Sequence, residues 1–337
     1  MRMHFSDSYI RYKSYFKQKK EGVYERFDTV YFWVELSYEN SKMAPLEPTE
    51  KLETAPKAAA PKPSNSMAPL KPAEILDATI NIGVGKANSS VSKLIMLGIL
   101  AGAFIAFAAA GSNMAAFNAL GDAGTFGYGR WIAGMVFATG LMLVVCCGAE
   151  LFTGNTLMIC SVLEKKINVS GMLRNWVIVY IANLVGSIFI AYLVVNSGLL
   201  ASGDGALGAT TVSIAAGKCN LEFLPAFYRG ILCNWLVCLA VWMAFGADTM
   251  VGKFLSCFFP ISLFVTSGYE HSVANMYYIP AGLFAKGEFG ASLDPAVIEN
   301  LTWGGFFIDN LIPVTLGNIV GGMILVGMVY WFSYKKA

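Results

Sequence analysis

Two polar segments in otherwise apolar sequence hold most of the residues able to do chemistry, and they are copies of each other. The first reads Gly148-Ala149-Glu150-Leu151-Phe152-Thr153-Gly154-Asn155 and continues to Ile159. The second reads Gly268-Tyr269-Glu270-His271-Ser272-Val273-Ala274-Asn275 and continues to Ile279. Gly, Glu, Asn and Ile recur at one fixed offset of 120 residues. His271 is the one imidazole outside the N-terminal tail, which holds His4. Within a membrane an imidazole changes charge near physiological pH, which suits binding an anion or relaying a proton. The alternative is a neutral histidine satisfied by hydrogen bonds between helices; its place in a helix break beside Glu270 favours the first reading. Glu150 and Glu270 either shape the field of a pore or accept hydrogen bonds from backbone N–H groups freed at the breaks, and the second role is the stronger expectation for Glu150. Thr153 and Ser272 offer hydroxyls to an oxyanion, and broken helix ends aim N–H dipoles at the same space. Lys218, in an expected outer loop, either draws anions to the mouth or is simply solvated. No nucleophile–base pair accompanies these carboxylates, so passage of a solute rather than an enzymatic reaction is expected.

Each segment interrupts a stretch that would otherwise cross a membrane, and matched interruptions in two halves point to a transport site. The chain of 337 residues is 56% hydrophobic and 14% charged, with a mean hydropathy of +0.56, against about one quarter charged for soluble domains. Residues 1–92 hold 13 basic and 11 acidic side chains, and the remaining 245 hold 11 of each. That split describes a polar tail on a polytopic membrane body, with no basic face for nucleic acid. Spans are expected at 93–111, 129–148 with a continuation at 155–163, 173–197, 224–246, 253–267 with a continuation at 273–286, and 305–332. Gly98-Ile99-Leu100-Ala101 echoes Gly230-Ile231-Leu232-Cys233, and Asn183-Leu184-Val185-Gly186 echoes Asn318-Ile319-Val320-Gly321. Three spans per copy force the second copy to enter from the opposite side. The expected fold is therefore an all-α integral membrane protein, with six transmembrane helices in a 3+3 inverted repeat and the second and fifth helices broken.

The domain organisation follows. Residues 1–66 form a polar extension without a signal-peptide core, Pro/Ala/Lys-rich over 43–66 and expected to be disordered. Over 67–92, Leu70, Ile75, Leu76, Ile80 and Val84 recur at helical spacing, as in an amphipathic helix at the membrane surface or a plain polar lead-in. Residues 93–333 form the channel domain and 334–337 a cytoplasmic C-terminus. With both termini inside, Lys86, Lys93, Lys165, Lys166, Arg174, Lys253, Lys335 and Lys336 lie on inner segments, against Arg130, Lys218, Arg229 and Lys286 outside. Eight against four favours that orientation. The seven cysteines, at 146, 147, 160, 219, 233, 238 and 257, include no CxxC pair and read as small buried apolar residues, so no metal or other cofactor is expected.

Four stretches then carry a resemblance to the formate/nitrite transporter family. They are Leu151-Phe152-Thr153-Gly154-Asn155, Asn234-Trp235-Leu236-Val237-Cys238-Leu239-Ala240-Val241-Trp242, Gly268 through Asn275, and Gly317-Asn318-Ile319-Val320-Gly321-Gly322, within a match over about 68–333. The resemblance implies an aquaporin-like protomer in a homopentamer of the plasma (inner) membrane, surrounded by lipid, with one pore per protomer. It implies passage of small monovalent anions or their acids: formate above all, then nitrite, acetate, lactate and hydrosulfide. By position, Phe137, Leu141 and Leu151 resemble the cytoplasmic constriction, and Val237 and Phe264 the periplasmic one. Thr153 resembles the break threonine that contacts the central histidine, His271. Glu270 and Asn318 resemble that histidine's partners, Asn234 a pore-facing residue and Lys218 the vestibule lysine.

A bare anion crossing an apolar constriction meets a steep desolvation cost, which a proton from the wet path or from His271 would remove. A neutral-solute or water channel on the same plan would carry paired Asn-Pro-Ala motifs at its breaks, and neither break has one. The string Met-Ala-Pro-Leu occurs at 43–46 and again at 67–70, and Met43 is an alternative start. The intact mass of the native protein is expected to correspond to a chain beginning there; a species beginning at Met1 rules this out.

Overall fold

Gly148 and Gly268 end helices within the apolar body, each in left-handed backbone with φ of 78° and 80°, a conformation that a Cβ disfavours. They divide two of the long helices expected from sequence. A computed structural model of the chain describes residues 68–335, so the 1–66 extension, the Met43 start and the last two residues lie outside the described part. The main helices in chain order are α1 (Pro72–Ala87), α2 (Val91–Leu120), α3 (Phe126–Cys147), α4 (Phe152–Leu163) and α5 (Val169–Asn196), followed by α6 (Ala206–Cys219), α7 (Phe223–Gly246), α8 (Met250–Ser267), α9 (Ser272–Phe289) and α10 (Gly305–Lys335). Helices α2, α3, α5, α7, α8 and α10 are long and apolar enough to cross a membrane. No strand occurs among the described residues.

The second five helices repeat the first five. Helix α2 packs on α5 as α7 packs on α10, α1 covers α4 as α6 covers α9, and α5 meets α9 as α10 meets α4. Helices α3 and α8 pack on each other across the pseudo-twofold axis. Tyr180 and Thr315 hold equivalent positions in α5 and α10 and hydrogen-bond each other at 2.8 Å, so the axis passes between them. The α2–α5 contact is backbone on backbone: a Cβ at Gly186 would collide with the Ile99 carbonyl, and one at Gly321, its equivalent in α10, with the Ile231 carbonyl of α7.

Three features differ from the sequence expectation. Residues 206–219, expected as outer loop, form α6, with Lys218 in its last turn. Apolar windows stop at the first polar residue, whereas helices run on into the polar margin. For the same reason α2 does not end near residue 111. It continues through Ser112 and Asn113 and buries both. Helix α1, opened by Pro72 and a bond from the Lys71 N–H to the Glu74 carboxylate (2.7 Å), turns Ile75, Leu76 and Ile80 onto α4 and α7 rather than outward. The Ser161 hydroxyl donates to the Ile80 carbonyl at 2.7 Å and locks it there.

Gly186→Val should destabilise the protein by roughly 1–3 kcal/mol through overpacking of α2 on α5. Thermal unfolding of the detergent-solubilised protein should show a lowered Tm, whereas Gly85→Ala, with open space around its Cβ, should not.

Candidate functional site

A broken helix in hydrocarbon releases backbone groups that must find partners. Two asparagines supply them in matched fashion. Asn183 of α5 accepts from the Phe152 N–H (3.0 Å) and donates to the carbonyls of Gly98 (2.8 Å) and Glu150 (2.9 Å). Asn318 of α10 accepts from the Ser272 N–H (2.9 Å) and donates to those of Gly230 (2.8 Å) and Glu270 (3.0 Å). The Glu150 N–H bonds the Leu97 carbonyl and the Glu270 N–H that of Arg229. These bonds tie the broken backbone to asparagines and neighbouring carbonyls rather than to the glutamate side chains, contrary to the role expected of Glu150.

The carboxylates bind lysines instead. Glu150 accepts from Lys86 Nζ (2.8 Å) and Asn155 Nδ2 (2.8 Å), and Asn155 also bonds Asn175 (2.8 Å). Glu270 accepts from Lys218 Nζ (2.9 and 3.0 Å) and Asn275 Nδ2 (2.7 Å), and Asn275 bonds Asn310 (2.7 Å). Asn175 and Asn310 reach back to the carbonyls of Lys86 and Lys218. Lys218 is therefore neither a loop nor a free lysine. It is the repeat equivalent of Lys86, on the opposite side of the body.

At the centre the two copies diverge. His271 occupies the position equivalent to Leu151, since both follow the break glutamate. Its Nδ1 accepts from the Ala274 N–H (3.0 Å) and caps α9, and its Nε2 lies 2.9 Å from Thr153 Oγ1. A ring nitrogen that accepts a backbone N–H carries no proton, so the neutral ring has its hydrogen on Nε2, assigned here from the bonding pattern, and donates to Thr153. Glu270 and Asn318, expected as partners of the ring, bond Lys218 and the broken backbone instead. Asn234 donates to the carbonyls of Asn318 (2.7 Å) and Thr153 (3.2 Å), while its Oδ1 is buried without a partner. Ser272 is fully buried.

Cavities approach this centre from both sides. On the α1 side a cavity of about 410 Å³ is lined by Lys86, Lys93, Leu141, Leu151 and Val241. On the α6 side a mouth of about 490 Å³, with Arg130, Lys218, Arg229 and Glu270 in its wall, shares Arg130, Ile214, Lys218 and Tyr269 with a smaller cavity of about 50 Å³ that reaches Phe137, Phe264 and His271. Phe137 packs edge-on to Phe264 (5.7 Å between centroids) and stacks on Tyr278 (6.3 Å). It thus packs with Phe264 on the α6 side, apart from Leu141, one helical turn further along α3, and from Leu151 beyond the break. Val237 is buried in α7. The Arg130 guanidinium donates to the Val265 and Thr266 carbonyls and neutralises the C-terminus of α8.

The model of the formate/nitrite transporter family matches residues 73–332. The chain belongs to the formate/nitrite transporter family. It is 44% identical over 269 residues to a probable formate transporter of Methanothermobacter thermautotrophicus, covering 74% of this chain and 92% of that one. It is 38% identical over 262 residues to the formate channel FocA of Escherichia coli strain K12, covering 75% and 90%. A solved pentameric formate channel with formate bound aligns with a TM-score of 0.64 at 36% identity, covering 73% of this chain and 98% of that one. These relatives are transporters and channels, not enzymes.

For this member of the formate/nitrite transporter family, sequence reasoning missed Lys86, Asn155, Asn175, Asn275 and Asn310 as parts of the site. The signal was present: the offset of 132 between Gly98 and Gly230 also relates Lys86 to Lys218. Lys218→Met leaves the Glu270 carboxylate without its cation in a half-enclosed wall and should cost roughly 3–5 kcal/mol. Thermal unfolding should show that loss, and Lys218→Met combined with Glu270→Gln should recover most of it.

Proposed function

We propose that the protein is a transmembrane channel for small monovalent anions and their conjugate acids, with formate as the main substrate. The observation that carries this reading is the Thr153–His271 pair, a polar contact between two cavities that each hold a lysine, with Leu141 and Leu151 on one side and Phe137 and Phe264 on the other. Formate as substrate is supported by the named relatives, and a homopentamer by the pentameric formate channel that the chain resembles. The excess of Lys and Arg on the α1 side supports cytoplasmic termini in a plasma (inner) membrane. Apolar side chains exposed on the single chain, among them Trp131, Phe254 and Phe259, then face lipid or neighbouring copies.

In this mechanism Arg130 and Arg229 raise the concentration of anion at the α6-side mouth, beside the Lys218–Glu270 pair. Beyond Phe137 and Phe264 the anion loses water, and taking up a proton removes most of that cost. The Thr153–His271 pair offers hydrogen bonds during the crossing. His271 itself delivers a proton only after Nδ1 has gained one, which breaks its bond to the Ala274 N–H. Proton supply through the ring is therefore coupled to loss of the α9 cap, and the wet path is the less constrained source. The acid leaves past Leu141 and Leu151 into the α1-side cavity and ionises there.

Proteoliposomes containing the protein should take up formate faster than nitrite, lactate or hydrosulfide, and faster at acidic than at neutral pH. Absence of flux for the whole panel overturns the channel reading, and a faster competitor reassigns the substrate. His271→Phe should flatten the pH dependence of formate flux; an unchanged profile removes the histidine from the mechanism and leaves the channel in place.

A further inference from the structure

The buried asparagines of the body fall into two groups. Asn155 with Asn275, Asn175 with Asn310, and Asn183 with Asn318 are equivalent by repeat and make equivalent bonds, so they belong to the scaffold. Asn113 and Asn234 have no such twins. At the offset of 132 that relates Lys86 to Lys218, Asn234 answers to Gly102 and Asn113 to Phe245. Thr153 and His271 are unmatched in the same way, answering to Val273 and Leu151 at the offset of 120. Unmatched polar residues thus gather where the two copies do different things, and Asn234 already joins the set around Thr153.

Asn113 stands apart in having no use within the fold. It is 4% exposed, and its Nδ2 is buried with no hydrogen-bond partner. Its neighbour Ser112 turns its hydroxyl to the Ala133 carbonyl (3.0 Å). Asn113 lines the α6-side cavity of about 50 Å³ together with Lys218, Phe137, Phe264 and His271. Phe245, its equivalent, lines the α1-side cavity, so one vestibule has an amide where the other has a phenyl ring. A buried donor without an acceptor is costly and calls for an explanation. An occupant that brings an acceptor oxygen removes the cost.

We propose that Asn113 is a substrate-contacting residue, its Nδ2 donating to an oxygen of a small carboxylate or other oxyanion held in the cavity between Lys218 and His271. The inference rests on the channel function proposed above. A water needs roughly 10–15 Å³ by this measure of volume, so a cavity of about 50 Å³ admits an occupant of a few heavy atoms and favours formate over longer carboxylates. The amide is neutral and can donate to a carboxylate or, more weakly, to the carbonyl of its acid. The substrate consequently keeps this contact while it exchanges a proton, when its attraction to Lys218 is lost.

The test is the concentration dependence of uptake into proteoliposomes for wild type, Asn113→Leu and Asn113→Ser, using formate or whichever small oxyanion the wild type conducts best. Asn113→Leu keeps the approximate shape and removes the donor, and it should raise the half-saturating concentration roughly tenfold without lowering Tm. Asn113→Ser, which retains a hydroxyl donor, should give a smaller rise. A conducting wild type with an unchanged half-saturating concentration in Asn113→Leu overturns this inference alone. Equal impairment of both variants in maximal flux only, marking a space-filling role, also overturns it. A wild type that conducts no oxyanion of the panel overturns it together with the function on which it rests.

Discussion

Backbone freed from a helix inside hydrocarbon has no water to bond, and that constraint governs the architecture of this protein. Asn183 and Asn318 meet it by presenting one acceptor and one donor to each break and a second donor to α2 or α7, joining three helices at a point. The clamp fixes where the chain leaves one helix and enters the next. It thereby fixes Glu150 and Glu270, the lysines they hold and the floors of both cavities. Because the side-chain amides do this work, the glutamates are released to bind Lys86 and Lys218.

Those ion pairs are enclosed on the protein side and open to a cavity on the other. A pair of this kind is weak evidence for stability, since desolvation offsets much of its attraction. Its effect here is on placement. Each lysine is held at a cavity wall by a carboxylate that is itself braced by an asparagine, and each pair adds no net charge. The excess positive charge at the α6-side mouth therefore comes from Arg130 and Arg229, and at the α1 side from Lys93. Arg130 in turn spends part of its charge on the carbonyls that end α8.

Much of this was legible in the sequence because the repeat is written twice. Two breaks with the same Gly, Glu and Asn at one offset identify the broken helices, and the odd number of spans per copy dictates inversion. Helix α6 escaped because its composition, Ala-Leu-Gly-Ala-Thr-Thr-Val-Ser-Ile-Ala-Ala-Gly-Lys-Cys, is neither long enough for a span nor patterned strongly enough for a surface helix. The offset of 132 relates Lys86 to Lys218 in the sequence, but only a helix at α6 gives that pairing a structural meaning. The partners of His271 were illegible for a different reason. Which of several nearby polar groups bonds a ring depends on side-chain direction, and adjacency in sequence to Glu270 carries none of that information. Phe137 shows the same limit, since a single helical turn moves it from one cavity to the other.

The Tyr180–Thr315 bond has a consequence for how such a molecule can acquire chemistry at all. A residue on a twofold axis meets its own counterpart, and two identical bulky groups cannot occupy one place. Positions close to the axis are thus under steric pressure to become different, whatever the rest of the duplicated sequence conserves. Tyr180 faces Thr315, and His271 meets Thr153, only two residues from its own counterpart Leu151. Duplication followed by inversion builds in a seam that favours divergence, and the Thr153–His271 contact is one product of it.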